Sequence, residues 1–418
     1  MNYYEVFETY ESEVRSYCRN FPAVFTTAKG SQIFDIDGKG YIDFLAGCGA
    51  LNYGHNNETI KSQLVSYIQN DGILHSMDMY TRAKAEFIEY FEEEIIKKRG
   101  FDYKIQFTGP TGTNAVEASL KLARKVKGRT TIWGLMGCFH GMTLGALSLT
   151  SNKTDRAGAG IPLGGITHIP APYMFKELDT VKYMQTLIDD DHSGIETPAA
   201  IIIETVQAEG GIWPMPFEWL REVRAFCNKN DILMIIDDIQ VGTARTGTFF
   251  SFEKAEIIPD MVVMAKSTGG LGMPIAVVLL KPELDIWLPG EHNGTFRGNQ
   301  LSMVAARAGL ELMLSEHIED EVFRKEQVLI KALEENIRPF ISAEADIRGR
   351  GLIWGIDVLD GHYAKAVSAE CFRNGLIAER AGRNSSTIKI MPPLTIDDSL
   401  LLEGIDIISS ALKSEAQK

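Results

Sequence analysis

Lys266 stands at the end of the apolar run 260–265, "DMVVMA", and is followed by the glycine-rich "STGGLGMP". A single lysine beside glycines is ordinarily a solvated loop residue. Buried or crowded, its pKa falls from about 10.4, leaving a neutral nucleophilic amine suited to a Schiff base. Asp237 and Asp238 close a second run, "DILMIIDD" at 231–238, with Gln240 two residues on. An acid ending a buried run needs a cationic partner or several donors. The pair also fits an N-cap with a solvated neighbour, or metal ligation, although no histidine lies close in sequence.

Two further stretches have the composition of ligand loops. "GCFHGMT" at 137–143 sets Phe139 and His140 between glycines, where an aromatic ring either stacks on a planar ligand or packs into the core. "FTGPTGTNAVEASLKLARK" at 107–125 sets Gly112 and Thr113 between a predicted strand and a helix predicted to begin near Asn114. Backbone N–H groups and a hydroxyl there face an anion such as phosphate, or form an ordinary cap. A phosphate cradle, a stacking aromatic, a buried acid and a strand-end amine are together what pyridoxal 5'-phosphate requires.

The elements that must position these residues are short apolar runs: 103–107, 130–135, 199–204, 231–238, 260–265 and 275–280. Being apolar at consecutive positions, they predict strands buried on both faces of an α/β sheet. Ligands of such sheets bind beyond the carboxyl ends of the strands, which is where Lys266, Asp237, Phe139 and Thr113 fall. Alternation on both sides of Asp37-Gly38 predicts a β-hairpin over 31–45. Helical periodicity follows in "ETIKSQLVSYIQNDG" and in "AKAEFIEYFEEEIIKKRG", which closes on Lys, Arg and Gly. The predicted organisation is a small α+β domain built from residues 1–55 and 306–418 around a large domain over 56–305.

Composition bounds the rest. Charged residues are 23%, the hydrophobic set 45% and the formal net charge -14, values of a soluble globular chain that repels a nucleic-acid backbone. Cys18, Cys48, Cys138, Cys227 and Cys371 are odd in number and lack ligand spacing, so neither a disulfide framework nor a zinc site is indicated. The acidic start and the lack of a bilayer-length apolar run predict a cytoplasmic protein without membrane association.

The motifs "GPTGTNAVEASLKLAR", "CFHGMT", "IIIETVQAEGG", "IIDDIQVGTARTG", "MAKSTGGLGMP", "HNGTFRGN" and "IKIMPPLTI" resemble, in order and across nearly the whole chain, those of class III pyridoxal-phosphate aminotransferases. Through "GCGALNYGHNN" and "PGEHNGTFRGN" the chain is most similar, within that family, to the diaminobutyrate–2-oxoglutarate aminotransferases of ectoine synthesis. The resemblance implies a fold type I α/β transferase, with a large, mostly parallel sheet covered by helices on both faces. It implies a homodimer, leaving open whether dimers pair into tetramers. It further implies that Lys266 binds the cofactor covalently, Asp237 meets the ring nitrogen and Phe139 stacks beside His140. Gln240 would reach the 3'-hydroxyl region, Gly112 and Thr113 the phosphate, and Thr295 the phosphate of the neighbouring subunit.

On the same grounds the substrates are L-glutamate and L-aspartate 4-semialdehyde. Other class III enzymes acting on 4-aminobutyrate or ornithine, and racemases, mutases or decarboxylases on this scaffold, share Lys266 and Asp237. Two positions depart from the family pattern. Lys389 stands where many members have an arginine that pairs with the glutamate corresponding to Glu209, and it offers a point charge without a bidentate fork. Met142 stands where several members have an arginine for a distal carboxylate. Arg297 is then the candidate cation for that carboxylate; pairing with a loop acid such as Glu291 is the equal alternative.

Overall fold

The computed structural model describes residues 3–417; residues 1, 2 and 418 of the expected small domain lie outside them. Seven strands form the central sheet, in the order Lys104–Phe107, Val277–Leu280, Met261–Met264, Leu233–Asp237, Ala200–Ile203, Ile132–Leu135 and Ile166–Ile169. Neighbours are parallel from Met261–Met264 to the Ile166–Ile169 edge, whereas Val277–Leu280 runs antiparallel to both of its partners. All six apolar runs are strands. Two of the seven depart from the buried pattern at the sheet edges: Lys104–Phe107 alternates Lys104 and Gln106 with Ile105 and Phe107 and is not buried on both faces, and Ile166–Ile169 carries Thr167 and His168 and is only partly buried.

Alternation along the buried strands sends side chains to two cores. Ile201, Ile203, Met234, Ile236, Val262 and Met264 join one, with Trp219, Leu220 and Val223 of helix Phe217–Lys229 and Met303 of helix Gln300–Ser315. Ile202, Leu233, Ile235, Met261 and Val263 join the other, with Ala115, Val116 and Leu120 of helix Gly112–Lys127. Helices on both faces leave only the strand ends open to ligand.

Val206–Gln207 and Trp213–Pro214 form a two-stranded pair, and two four-stranded sheets are built from the two ends of the chain. Phe25–Lys29, Gln32–Asp35 and Gly40–Asp43 form an antiparallel set that turns at Gly38, φ 82°, and takes Leu376–Ile377 as a parallel fourth strand. Asp346–Arg350, Ile353–Asp357, Thr387–Ile390 and Arg380–Ala381 form the other. Arg245, fully buried, joins the segments from the two ends of the chain by donating to Leu352 O at 3.0 Å and Asn52 Oδ1 at 2.6 Å. Helix boundaries differ from expectation at one functional point: the helix after Phe107 begins at Gly112, not near Asn114, so Gly112 and Thr113 are its first turn.

Gly270, just beyond Lys266, has φ 65°, and a Cβ there would lie 2.2 Å from Ala305 O in helix Gln300–Ser315. Gly270→Ala is expected to destabilise by about 1–3 kcal/mol and lower Tm, whereas Gly164→Ala, with no atom within 4 Å, should leave Tm unchanged; thermal unfolding of the two variants checks this.

Candidate active site

Parallel pairing of Leu233–Asp237 with Met261–Met264 sets Asp237 opposite Val263, so Asp237 and Lys266 leave adjacent strands at the same rim. Lys266 itself has φ 51°, a left-handed conformation uncommon for a residue with a side chain and one that marks functional turns. A cavity of ≈ 470 Å³ opens over this rim and gathers Lys266, Asp237, Phe139, His140, Gln240 and Glu209, with Gly112 and Thr113 from the helix start. Ile239, Val206 and Val241 supply apolar wall.

Asp237 is held from two sides. Its Oδ2 accepts from His140 Nδ1 at 2.7 Å, which requires the Nδ1–H tautomer or the imidazolium, and its Oδ1 accepts from Ile239 N at 3.1 Å. His140 is buried and its Nε2 has no partner. Glu204, also buried, accepts from Phe139 N at 3.2 Å. Burial and the charge of Asp237 push Glu204 well above the usual carboxylate range. Asp238 is buried, not solvated: it accepts from Ser251 N at 3.1 Å and from the Ser251 hydroxyl, and burial raises it to about 7.

Lys266 Nζ donates to Cys48 O at 2.9 Å, and burial lowers its pKa. Gln240 Nε2 donates to the same carbonyl at 2.9 Å. On the far side of Glu209 lies Lys389, 1% exposed, whose three ammonium hydrogens match three acceptors: Glu209 Oε1 at 2.7 Å, Gln240 Oε1 at 3.2 Å and Glu379 Oε2 at 3.3 Å. Gln240 is thus engaged at both ends of its amide. Gly141, φ 125°, passes so close to Thr113 that a Cβ would fall 2.4 Å from its Oγ1. Thr113 Oγ1 lies 2.7 Å from Thr143 Oγ1, which donates to Glu117 Oε1 at 2.6 Å.

Arg297 does not enter this cavity. It pairs with Asp78, donates to His292 O at 3.4 Å and borders a separate cavity with Met77 and Trp287. The loop acid it meets is Asp78 rather than Glu291, which pairs with Lys125. Thr295 also lies outside the Lys266 cavity, its carbonyl accepting from His75 Nε2 at 2.9 Å. Residues of the site not singled out from the sequence include Cys48, Tyr17, Asp155, Glu204, Ile239 and Glu379. The glycines around Cys48, which has φ 56°, are a signal for a close backbone approach. Tyr17, whose hydroxyl lies 2.9 Å from Cys48 Sγ, and Glu379 carry no such signal.

The sequence profile of the aminotransferase class-III family matches residues 14–412. The chain belongs to that family. It is 49% identical over 410 residues to a diaminobutyrate–2-oxoglutarate transaminase of Halalkalibacterium halodurans, covering 98% of this chain and 96% of that one. The same-named protein of Nocardia farcinica is 49% identical over 414 residues, covering 97% and 93%. Among solved structures, the ornithine aminotransferase of Toxoplasma gondii superposes with a TM-score of 0.87 at 23% identity, covering 99% of this chain and 94% of that one. A Bacillus anthracis aminotransferase gives 0.86 at 24%, covering 98% and 97%.

Class III aminotransferases use pyridoxal 5'-phosphate, and the donor set here fits it. A buried carboxylate braced by an imidazole suits a protonated pyridine nitrogen, and a half-buried amine with one carbonyl partner suits the aldehyde. Phe139 and Ile239 offer apolar surface for the ring. The first N–H groups of helix Gly112–Lys127, which have no intrahelical acceptor, and the Cβ-free approach at Gly141 suit the phosphate.

The Glu209–Lys389 pair gives the site a pH signature. Burial pushes Glu209 up, but Lys389 and Lys266 outweigh it and hold the carboxyl below its ordinary 4.5. For Lys389 burial acts downward, and Glu209 with Glu379 holds the ammonium above its ordinary 10.5. The carboxylate's contribution is complete above 4.5 and lost as pH falls through the lower folded value; the ammonium's is complete below 10.5 and lost as pH rises through the raised one. Glu209→Gln is expected to lower stability by ~1–3 kcal/mol near neutral pH, with the Tm gap closing as pH is taken below 4.5. Thermal unfolding against pH checks this, and a gap that persists in acid assigns the loss to packing.

Proposed function

We propose that this chain is an ω-aminotransferase that moves the amino group of L-glutamate to L-aspartate 4-semialdehyde, giving L-2,4-diaminobutyrate and 2-oxoglutarate. The observation that carries the proposal is the near full-length identity of 45% to 49% to a set of diaminobutyrate–2-oxoglutarate transaminases. The geometry supports it, since the cavity has the lysine, acid and aromatic of a transaminase. It also has a cation, Lys389, screened behind Glu209 where a dicarboxylic donor would need it. A homodimer in the cytoplasm, with Thr295 directed to the partner's site and the product entering ectoine synthesis, is part of the same proposal.

The residues divide the work. Pyridoxal 5'-phosphate, when bound, supplies the electron-accepting ring on which an amino group is exchanged for a carbonyl. Lys266, whose pKa burial lowers, is the base that takes a proton from the reacting carbon of the substrate and returns it across the exchange. Asp237, fixed by His140 and Ile239, holds negative charge at the bottom of the site, where it stabilises a protonated nitrogen. Glu209 covers Lys389 while an amine without a neighbouring carboxylate reacts. Swinging aside, it uncovers the ammonium for the α-carboxylate of glutamate. Glu379 and Gln240 remain on Lys389 through that exchange, so the buried cation is never left bare.

Purified holoprotein titrated with L-glutamate should lose the visible band of the bound cofactor and release 2-oxoglutarate, and L-aspartate 4-semialdehyde should restore the band. Lys266→Ala should give no turnover. Loss without return would reject the acceptor while keeping the aminotransferase, and no response to glutamate would reject the donor.

A further inference from the structure

We infer that Asp155 recognises the α-ammonium group of the four-carbon amino acid, at the end of the molecule that does not react. Asp155 lies in the short helix Lys153–Ala157 and borders the same cavity as Lys266, beside Ser16, Tyr17 and Met142. Every other acid of that cavity is committed. Asp237 is bonded to His140 and Ile239, Glu204 to Phe139 N, and Glu209 to Lys389. The Asp155 carboxylate has no ion pair or side-chain hydrogen bond among the described residues. Its neighbour Arg156 is turned away, donating to Leu147 O, Ser148 O and Thr150 O at 3.2, 2.7 and 3.0 Å.

A half-buried carboxylate with no cation partner, in a cavity that holds three more acids, is unfavourable until a cation arrives. Burial and the charge of Glu209 both push Asp155 up, which places the two acids within electrostatic reach of one another around the cavity. The chemistry of the proposed substrates supplies such a cation. L-Aspartate 4-semialdehyde and L-2,4-diaminobutyrate react at C4 and carry an ammonium on C2, so with C4 at Lys266 the ammonium projects toward the mouth. Ser16, Tyr17 and Met142 bring no charge there, leaving Asp155 to meet it. 4-Aminobutyrate has the same reacting end and chain length but no α-ammonium, so Asp155 sets the preference between two otherwise matched amines. This assignment rests on the diaminobutyrate reading of the site.

The test is the ratio of kcat/KM for L-2,4-diaminobutyrate to that for 4-aminobutyrate, in wild type, Asp155→Asn and Asp155→Glu. A second readout is the dissociation constant of each amine on Lys266→Ala holoprotein with and without Asp155→Asn. The Asn variant should reduce the ratio about tenfold or more, the loss expected for one hydrogen bond between charged groups. The Glu variant should recover part of it, and the dissociation constants should shift in the same sense. An unchanged ratio, or equal losses for both amines, overturns the assignment while leaving the transaminase reading in place. A wild type that turns over 4-aminobutyrate but not diaminobutyrate overturns both.

Discussion

A carboxylate at the end of a fully buried strand must be braced, and the site depends on how Asp237 meets that demand. Each residue of Leu233–Asp237 is buried, so the charge arrives where water does not stabilise it. His140 comes from the loop after Ile132–Leu135, two strands away in the sheet, and Ile239 N from the turn that follows the acid. Their two hydrogen bonds fix the carboxylate and turn a liability of the fold into a stored charge for the ring nitrogen. The loop carrying His140 also carries Phe139, whose N–H is held by the buried Glu204. One constraint therefore orders three parts of the cavity.

Lys266 depends on the same architecture in a different way. The parallel register brings it to the rim beside Asp237, and its left-handed backbone with the glycines that follow lets the chain turn under helix Gln300–Ser315. The carbonyl of Cys48, from the N-terminal part of the chain, then receives both Lys266 and Gln240. Lys389, from a C-terminal strand, reaches in behind Glu209. The reacting centre is thus closed by segments from both ends of the chain around a sheet from its middle.

Much of this was legible in the sequence because burial on both faces leaves continuous apolar runs, and the polar residues ending those runs had to converge. Lys266, Asp237, Phe139, His140 and Thr113 lie together for that reason. The Ile166–Ile169 edge was not legible, since an edge strand tolerates Thr167 and His168. Long-range partners were not legible either. Nothing near Arg297 in sequence marks Asp78 as its acid, and nothing near Lys389 marks Glu379 as its second carboxylate, because both pairings arise only when distant segments pack. Local pattern announces elements and their ends, whereas choosing among several acids for one cation needs the tertiary structure.

The central claim is that the braced charge of Asp237 drives the chemistry of this cavity. The most direct measurement is the rate at which L-glutamate converts the bound cofactor in a single half-reaction, followed by stopped-flow absorbance in wild type and in Asp237→Asn, with cofactor content and Tm recorded for both. A fall of ~100-fold or more in that rate, with the cofactor still bound and the fold intact, is the result predicted. A variant that binds the cofactor and reacts at the wild-type rate would contradict the account.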